Sequence, residues 1–403
     1  MVVDDLPAVG DPPSPPAPEK LELSLDAGVR ATIPAGTKLD RIEFSPFGQR
    51  VAYVATSEDQ EWVSVGDEVH ERFDRVTGLY WSPAGTSLAY TASRAGQQFV
   101  VVDGQVSKAY AGATIPQWSP DGSTLVYGAD GALYVNGEKL VPVAPVWEHH
   151  WRPDNRLVYI AMRGPGDKVI ITGPDDPPSE PFEYSLGLAW SADGRHLAYA
   201  AAVDEVMTLV VDGVRTPQPG IQGDMRWSPD GSTLAYAVRD DDSGEFRVTI
   251  GDERRGPFDA IGALVWSPDS KQLVFPAERG GKFELIGATP SAAYEEVSTP
   301  TWSPDSKHVA FVAEAGGSSH VVVDGADQDR FDRVFPDSLA WSPDGTKLAY
   351  LAKRGESRIV VVGDQTREAQ WADFPLWSAD GTKLAYGIKD GSELRWEVLP
   401  VQP

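Results

Sequence analysis

A twelve-residue phrase recurs ten times along the chain and constrains its fold more than any other feature. The clearest copy is Trp341–Ala352, which reads Trp-Ser-Pro-Asp-Gly-Thr-Lys-Leu-Ala-Tyr-Leu-Ala. The first residue of each copy, called the anchor below, is tryptophan in every copy except the first. The anchors are Phe44, Trp81, Trp118, Trp151, Trp190, Trp227, Trp266, Trp302, Trp341 and Trp377. Their near-constant spacing, from 33 to 39 residues, predicts an array of similar structural units.

Each copy predicts two strands joined by a tight turn. Proline presets φ, aspartate hydrogen-bonds its own backbone, and glycine accepts a positive φ. After the turn, Leu348 and Tyr350 alternate with Ala349, which is the period of a β-strand. A valine-rich third strand ends in Asp-Gly, as at Val321–Gly325, and this is a strong hairpin signal. We interpret Phe331-Asp332-Arg333-Val334 and its counterparts as the start of a short fourth strand.

Four strands in a unit of about 40 residues are typical of a propeller blade. The predicted fold is therefore all-β, a single closed β-propeller of about ten four-stranded blades spanning residues 21–403. Leu21–Leu25 and Val29–Ile33 precede the first anchor, and the last repeat lacks a fourth strand. We expect Val29–Ile33 to supply that strand by pairing with the segment 384–399, so that the two termini close the ring.

The phrase Trp-Ser-Pro-Asp-Gly followed by Leu-Ala-Tyr resembles the TolB-type, or WD40-like, bacterial β-propeller repeat. Copies at Trp227 and Trp341 match it throughout, and the copy at Trp151 departs from it most. The resemblance covers roughly residues 21–400. Proteins of this kind include docking modules of the cell envelope, propellers attached to serine peptidases, and sugar-acid lyases. The resemblance therefore implies a fold, whereas propellers host many unrelated activities.

Composition narrows the classes of partner. The chain has 35 basic and 60 acidic residues, giving a formal charge of −25. A field of this sign disfavours nucleic acid and anionic lipid, and it favours a basic partner. There is no cysteine, so thiolate metal sites and disulfides are excluded. No run of 18 apolar residues is present, so no membrane insertion is expected.

Residues 1–20 contain six prolines among small and acidic residues, and this composition predicts a disordered, Pro-rich tether. The chain shows no basic segment followed by an apolar one, so it contains no signal peptide. We expect a periplasmic or cell-envelope location if a signal has been removed, and a cytoplasmic one otherwise. A monomer is expected.

The divergent fourth repeat holds the densest group of candidate ligand residues. Trp147, Glu148, His149 and His150 lie on the strand that leads into Trp151. Strand alternation sends His149 to one face and His150 to the other, so the pair alone cannot chelate a metal. A structural role in an atypical blade is the simpler interpretation. No metal or other cofactor is predicted.

The aspartates of the Pro-Asp-Gly turns form a second candidate set. One carboxylate in each blade is too few for a cation site, and the turn itself accounts for each of them. The tryptophan anchors are expected to be core between blades. The turn aspartates are Asp121, Asp154, Asp193, Asp230, Asp269, Asp305, Asp344 and Asp380.

No catalytic residue is predicted. A Gly-x-Ser-x-Gly nucleophile elbow is absent, and no α/β segment could hold one. The loops between the second and third strands differ from copy to copy, and Asp240, Asp241 and Asp242 make one of them strongly acidic. Variable loops on a rigid scaffold are where recognition is usually placed. The sequence thus predicts a non-enzymatic scaffold that binds a protein on this loop face. The alternative is a carbohydrate- or small-ligand-binding propeller, or a lyase-like enzyme, that uses the central channel mouth.

Overall fold

Strands account for almost all of the regular structure. A computed structural model describes residues 23–57, 59–140, 146–164, 167–172, 178–287 and 292–401. Within these ranges the only helix is a single 3-10 turn, Pro336–Ser338. The predicted tether at residues 1–20 lies outside the described residues. The described part of the chain forms ten small antiparallel sheets, which correspond to the ten predicted blades, and the predicted all-β propeller class with ten blades is confirmed. Blades are numbered below by their anchors.

The chain divides into two compact units. The first comprises residues 23–179 and 383–400, and the second comprises residues 180–382 and 401. Strands of the first unit, in chain order, are β1 (Gly28–Thr32), β2 (Lys38–Phe44), β3 (Val51–Ser57), β4 (Gln60–Val65), β5 (Glu68–Phe73), β6 (Arg75–Trp81), β7 (Leu88–Arg94), β8 (Gln97–Val102), β9 (Gln105–Val106), β10 (Gln117–Trp118), β11 (Leu125–Ala129), β12 (Ala132–Val135), β13 (Glu138–Lys139), β14 (Val146–Trp151), β15 (Leu157–Gly164) and β16 (Asp167–Ile171).

Strands of the second unit are β17 (Tyr184–Trp190), β18 (Leu197–Val203), β19 (Val206–Val211), β20 (Val214–Pro217), β21 (Ile221–Trp227), β22 (Leu234–Arg239), β23 (Phe246–Ile250), β24 (Glu253–Phe258), β25 (Ala260–Ile261), β26 (Val265–Trp266), β27 (Leu273–Arg279), β28 (Lys282–Ile286), β29 (Glu296–Val297), β30 (Thr301–Trp302), β31 (Val309–Ala315), β32 (Ser318–Val323), β33 (Ala326–Phe331), β34 (Arg333–Val334), β35 (Ala340–Trp341), β36 (Leu348–Arg354), β37 (Ser357–Val362), β38 (Gln365–Ala369), β39 (Trp371–Ala372) and β40 (Leu376–Trp377). The chain then returns to the first unit with β41 (Lys383–Asp390) and β42 (Glu393–Pro400).

Each blade is a meander whose first strand ends at the anchor. Blade 1, for example, has the order β2-β3-β4-β5, and blade 6 has the order β21-β22-β23-β24. Blades 7, 8 and 9 break the first strand into two short pieces that both pair with the second strand. Over the described residues, blade 4 shows its first three strands, and blade 7 shows its divided first strand, its second and its third. The segments 173–177 and 288–291 follow these third strands in the sequence.

The sequence-based prediction placed the fourth strand too far toward the C-terminus. The structure ends it, rather than starts it, at the aromatic residue: β5 closes at Phe73 and β33 closes at Phe331. The acid that follows, Asp74 or Asp332, links to the first strand of the next blade. The aromatic is there because its ring packs into that next blade, as the T-shaped contact of Phe331 with Tyr350 shows.

Within each unit, the hydrophobic core lies between consecutive blades. Val54 and Val63 of blade 1 share a cluster with Leu88 and Tyr90 of blade 2, and all four are almost fully buried. Within each unit, neighbouring blades therefore bury their facing surfaces against each other, which is how a repeat array is stabilised.

The N-terminal and C-terminal strands pair within the first unit, as predicted. β1 runs antiparallel to β42, with Gly28 opposite Trp396 and Thr32 opposite Glu393. Residues 23–25 form no strand, so the described part of the predicted Leu21–Leu25 strand is wrong. Ser24 instead accepts a hydrogen bond from the Trp396 indole at 2.9 Å through its backbone oxygen. That all ten blades share one closed ring stays a prediction.

Candidate binding surface

The turn edge of the blades is held by internal hydrogen bonds. In seven copies the turn aspartate accepts a hydrogen bond from the serine Oγ two residues earlier, at 2.5–2.7 Å. These bonds lower the carboxyl pKa values, to about 2 for Asp269, where the Ser267 hydroxyl is the largest cause. Such carboxylates are already satisfied by the turn. The pairs are Ser119–Asp121, Ser191–Asp193, Ser228–Asp230, Ser267–Asp269, Ser303–Asp305, Ser342–Asp344 and Ser378–Asp380.

Three residues that replace the turn glycine form hydrogen bonds between neighbouring blades. Asn155, Ser270 and Ser306 keep the positive φ of the glycine they replace, between 63° and 66°. Asn155 accepts a hydrogen bond from the Asp121 N–H of the preceding blade at 2.9 Å. Ser270 and Ser306 accept equivalent bonds from the preceding turns, each at 3.0 Å. These three residues therefore help to hold neighbouring blades together.

The anchor tryptophans also connect one blade to the one before it. Eight indole Nε1 groups donate to the carbonyl of the residue just before the preceding anchor, at 2.9–3.5 Å. Phe44 is buried, whereas all nine tryptophan anchors are half-buried. They therefore lie at the margin of the core and not in its centre. The eight donors are Trp81, Trp118, Trp151, Trp227, Trp266, Trp302, Trp341 and Trp377.

On the opposite edge, the loops between the second and third strands are also tied down. In blade 7 the Asp259 carboxylate, on the link from blade 6, accepts a hydrogen bond from Gly280 N–H at 2.6 Å. The preceding residue, Phe258, packs on Phe275 with ring centroids 5.6 Å apart, and Arg279 covers its ring at 4.7 Å. These contacts of Phe258, Asp259 and Arg279 hold the link from blade 6 against the loop of blade 7.

The same arrangement recurs in two other blades. In blade 2 it uses Phe73, Asp74 and Arg94, and in blade 9 it uses Phe331, Asp332 and Arg354. Six links of the described chain carry an aromatic at this position, which we call the plug. The plug residues are Phe73, Tyr110, Phe182, Phe258, Tyr294 and Phe331. All six are nearly fully buried.

Blade 6 lacks a plug. Gln218 occupies the position, because its N–H donates to Met207 O at 2.9 Å just as Tyr294 N–H donates to Phe283 O. Pro219 stands where the other links carry Asp259 or a similar residue. A cleft of about 310 Å³ is found here, within the size range of ligand sites. Its lining residues are Gln218, Pro219, Val238, Arg239, Asp240, Asp241, Asp242, Arg247, Thr249 and Arg254.

The three predicted aspartates of this cleft are not equivalent. Asp240 caps its own loop, since its Oδ1 accepts from Ser243 N–H at 2.8 Å and from Asp242 N–H at 3.2 Å. These bonds, with the Ser243 one first, lower the pKa of Asp240. Asp241 and Asp242 are exposed, and their carboxylates make no ion pair among the described residues. They are the acids available to a partner.

The cleft is not purely acidic, which the sequence did not reveal. Arg247 lies 3.8 Å from both Asp240 and Glu245, a loose contact on both sides. Arg254 is exposed and makes no ion pair within the described part of the chain. Arg247 lies on β23 and Arg254 on β24, and β-pairing brings both strands beside the loop that carries the aspartates. No local sequence pattern therefore predicted these arginines.

In blade 4 the structure separates the two histidines as strand alternation predicted. His150 Nε2 lies 2.9 Å from Glu148 Oε1 on one exposed face. His149 is opposite Tyr159 in the pairing, and its Nε2 is buried with no hydrogen-bond partner among the described residues. Burial lowers the pKa of His149, and the nearby His150 adds to this effect. Trp147 lies in the same strand, β14.

The described residues lack two further features. They contain no group of three His, Cys, Asp or Glu side chains gathered as metal ligands. They also contain no helix with the length and apolar character needed to cross a bilayer.

No protein-family model matches this chain, and no curated protein matches it. Similar solved structures include a eukaryotic initiation factor, at 14% identity and a TM-score of 0.48, covering 80% of this chain and 96% of that one. Another is the β-propeller domain of Cps50 (Swd1) from Myceliophteria thermophila, at 14% identity and a TM-score of 0.30, covering 65% and 99%. At these scores the fold assignment rests on the ten sheets themselves.

Proposed function

We propose that this protein is a non-catalytic scaffold that binds a protein partner at the loop edge of blade 6. The observation that carries the proposal is the contrast between the two edges of that blade. The turn edge uses its aspartate within the turn, whereas the loop edge presents Asp241 and Asp242 beside an open cleft. Exposed loops on a rigid framework are the usual place for recognition.

The charge of the chain supports a basic partner. A formal charge of −25 steers cations toward the surface, and unpaired rim carboxylates give such steering a local target. The phrase Trp-Ser-Pro-Asp-Gly supports a TolB-type repeat and, with it, a bacterial cell-envelope setting.

Blade 4 gives less support to the alternative function. A lyase-like or small-ligand site there would need His149, His150 and Glu148 to converge. The structure instead places the His149 ring on the opposite face from the Glu148–His150 pair. No observation on this blade therefore favours an enzyme over a scaffold.

The test is capture of partner proteins from the source organism by immobilised protein, followed by cross-linking to locate the footprint. The double variant Asp241→Asn/Asp242→Asn should lose salt-sensitive capture. Asp252→Asn is the matched control, because Asp252 is an exposed acid of blade 6 in the turn between β23 and β24, at the opposite edge. Equal loss in both variants, or a footprint on the turn edge, would contradict the proposal.

A further inference from the structure

We infer that the blade 6 cleft is a vacant plug site that receives an aromatic side chain from a protein partner. The inference rests on the proposed scaffold function and names the chemistry of its site. It comes from comparing blade 6 with the links of this same chain that carry their own aromatic.

Blade 6 keeps the aromatic residue of the receiving half of the plug site and moves its arginine by one position. In blade 7, Phe258 is held between Phe275 of the second strand and Arg279 at the end of that strand. By strand register, Tyr236 of β22 corresponds to Phe275, and Asp240 takes the position of Arg279. The arginine of blade 6 is Arg239, one residue earlier, and it lines the cleft. An aromatic face and a guanidinium group on either side of a ring are favourable partners for it.

What is missing is the ring itself. Gln218 takes the plug position, and Tyr236 is only half-buried where Phe275 is fully buried. Arg239, without a plug beneath it, donates from Nε to Gly244 O at 3.2 Å and lies 5.8 Å from the Phe246 ring. The cleft of about 310 Å³ adjoins the plug position, since Gln218, Pro219 and Arg239 are among its lining residues.

The acidic residues at the edge of the cleft indicate which residues should flank the aromatic side chain of the partner. Asp241 and Asp242 are exposed and carry charges that no described residue neutralises. Basic residues on either side of the aromatic would meet these carboxylates, in agreement with the net charge of the chain. The expected occupant is thus a phenylalanine or tyrosine between basic residues.

The first experiment titrates the protein with the peptide acetyl-Lys-Phe-Lys-amide, using saturation-transfer NMR on the ring protons. The comparison peptide is acetyl-Lys-Ala-Lys-amide, followed by its methyl protons. The phenylalanine peptide should bind at least about tenfold more tightly, since the ring gains apolar burial and cation–π contact. Equal affinity of the two peptides would overturn the inference.

The second experiment fills the cleft from within. Gln218→Phe should place a ring in the plug position, raise the Tm and weaken the phenylalanine peptide at least about tenfold. Gln218→Ala is the matched control, which leaves the cleft open and should retain binding. A lowered Tm for Gln218→Phe would show that a ring does not fit, and unchanged peptide binding would show that the peptide binds elsewhere. Either result overturns the inference.

The two proposals fail differently. Partner capture that depends on Asp241 and Asp242 but is indifferent to Gln218→Phe would leave the scaffold function standing without the plug site. A partner footprint on the turn edge, with the peptide still bound at the cleft, would remove the proposed function and keep the site.

Discussion

Blades 6 and 7 are consecutive copies of one repeat, and they use the same place on the blade in opposite ways. Blade 7 fills it with Phe258 and fixes its loop with Asp259. Blade 6 has Gln218 and Pro219 there, and its longer loop is capped by its own Asp240. The difference teaches that a repeat array can open a surface cleft where one copy lacks an aromatic core residue.

The largest expected difference between the two blades comes from truncating the residue at the plug position in each of them. Phe258→Ala should lower the free energy of unfolding by about 3–5 kcal/mol, because Phe258 is a nearly fully buried ring. Gln218→Ala should change it by no more than about 0.5 kcal/mol, as for an ordinary surface substitution. Urea unfolding measures both. Similar losses for the two variants would mean that Gln218 is itself a structural plug.

A second prediction concerns the acid after the plug. Asp259→Ala removes the acceptor for Gly280 N–H and should cost about 1 kcal/mol, the usual loss for a side-chain cap. Amide exchange at Gly280 should accelerate accordingly. Asp259→Asn keeps an oxygen at the same place and serves as the control.

In blade 6, Asp241→Ala should be nearly silent for stability, because its carboxylate caps nothing in the described structure. If Asp241→Ala destabilised the protein as much as Asp259→Ala, the two loops would be equally locked.

The smallest effect is expected at the turn edge, where the two blades are alike. The folded-state pKa of Asp269 is lowered to about 2 from an unfolded value of 3.8. The stabilisation by its ionised form is therefore present above about pH 4 and is lost as the pH falls toward about 2. In thermal melts, Asp269→Asn should reduce the fall in Tm across this window, since it removes the titrating group.

The matching variant of blade 6, Asp230→Asn, should act in the same direction, because hydrogen bonds led by that of Ser228 also lower the pKa of Asp230. A marked effect in one blade only would show that the turn edges differ after all.

Much of the fold could be predicted from the sequence because its signals are local and repeated. Asp-Gly turns, alternation and the anchor spacing identify the blades without knowledge of distant contacts. The pairing of β1 with β42 followed from counting strands in the last repeat. The end of the fourth strand could not be located in this way, because Phe331 is placed by its contact with Tyr350 in the next blade.

The blade 6 cleft could not be predicted from the sequence, because the plug position of this blade is shifted by one residue relative to its anchor. Ile221, which pairs with Val238, lies six residues before Trp227, whereas Val76 lies five before Trp81. Aligning the copies on their anchors therefore sets Gln218 out of step with the plug residues. Only the backbone pairing reveals that it occupies their position. Arg247 and Arg254 were missed because the neighbouring strands bring them to the loop.

The pairing of β1 with β42 also fixes how the molecule responds to tension. The strands are antiparallel, so the free end of β1 at Gly28 and the C-terminal half of β42 lie at the same end of the ladder. A force that draws the chain ends apart must open this ladder one hydrogen bond at a time, which is the least resistant loading geometry for paired strands. When the protein is tethered by its N-terminus and pulled from its C-terminus, we therefore expect the pairing of β1 with β42 to open first, at low force.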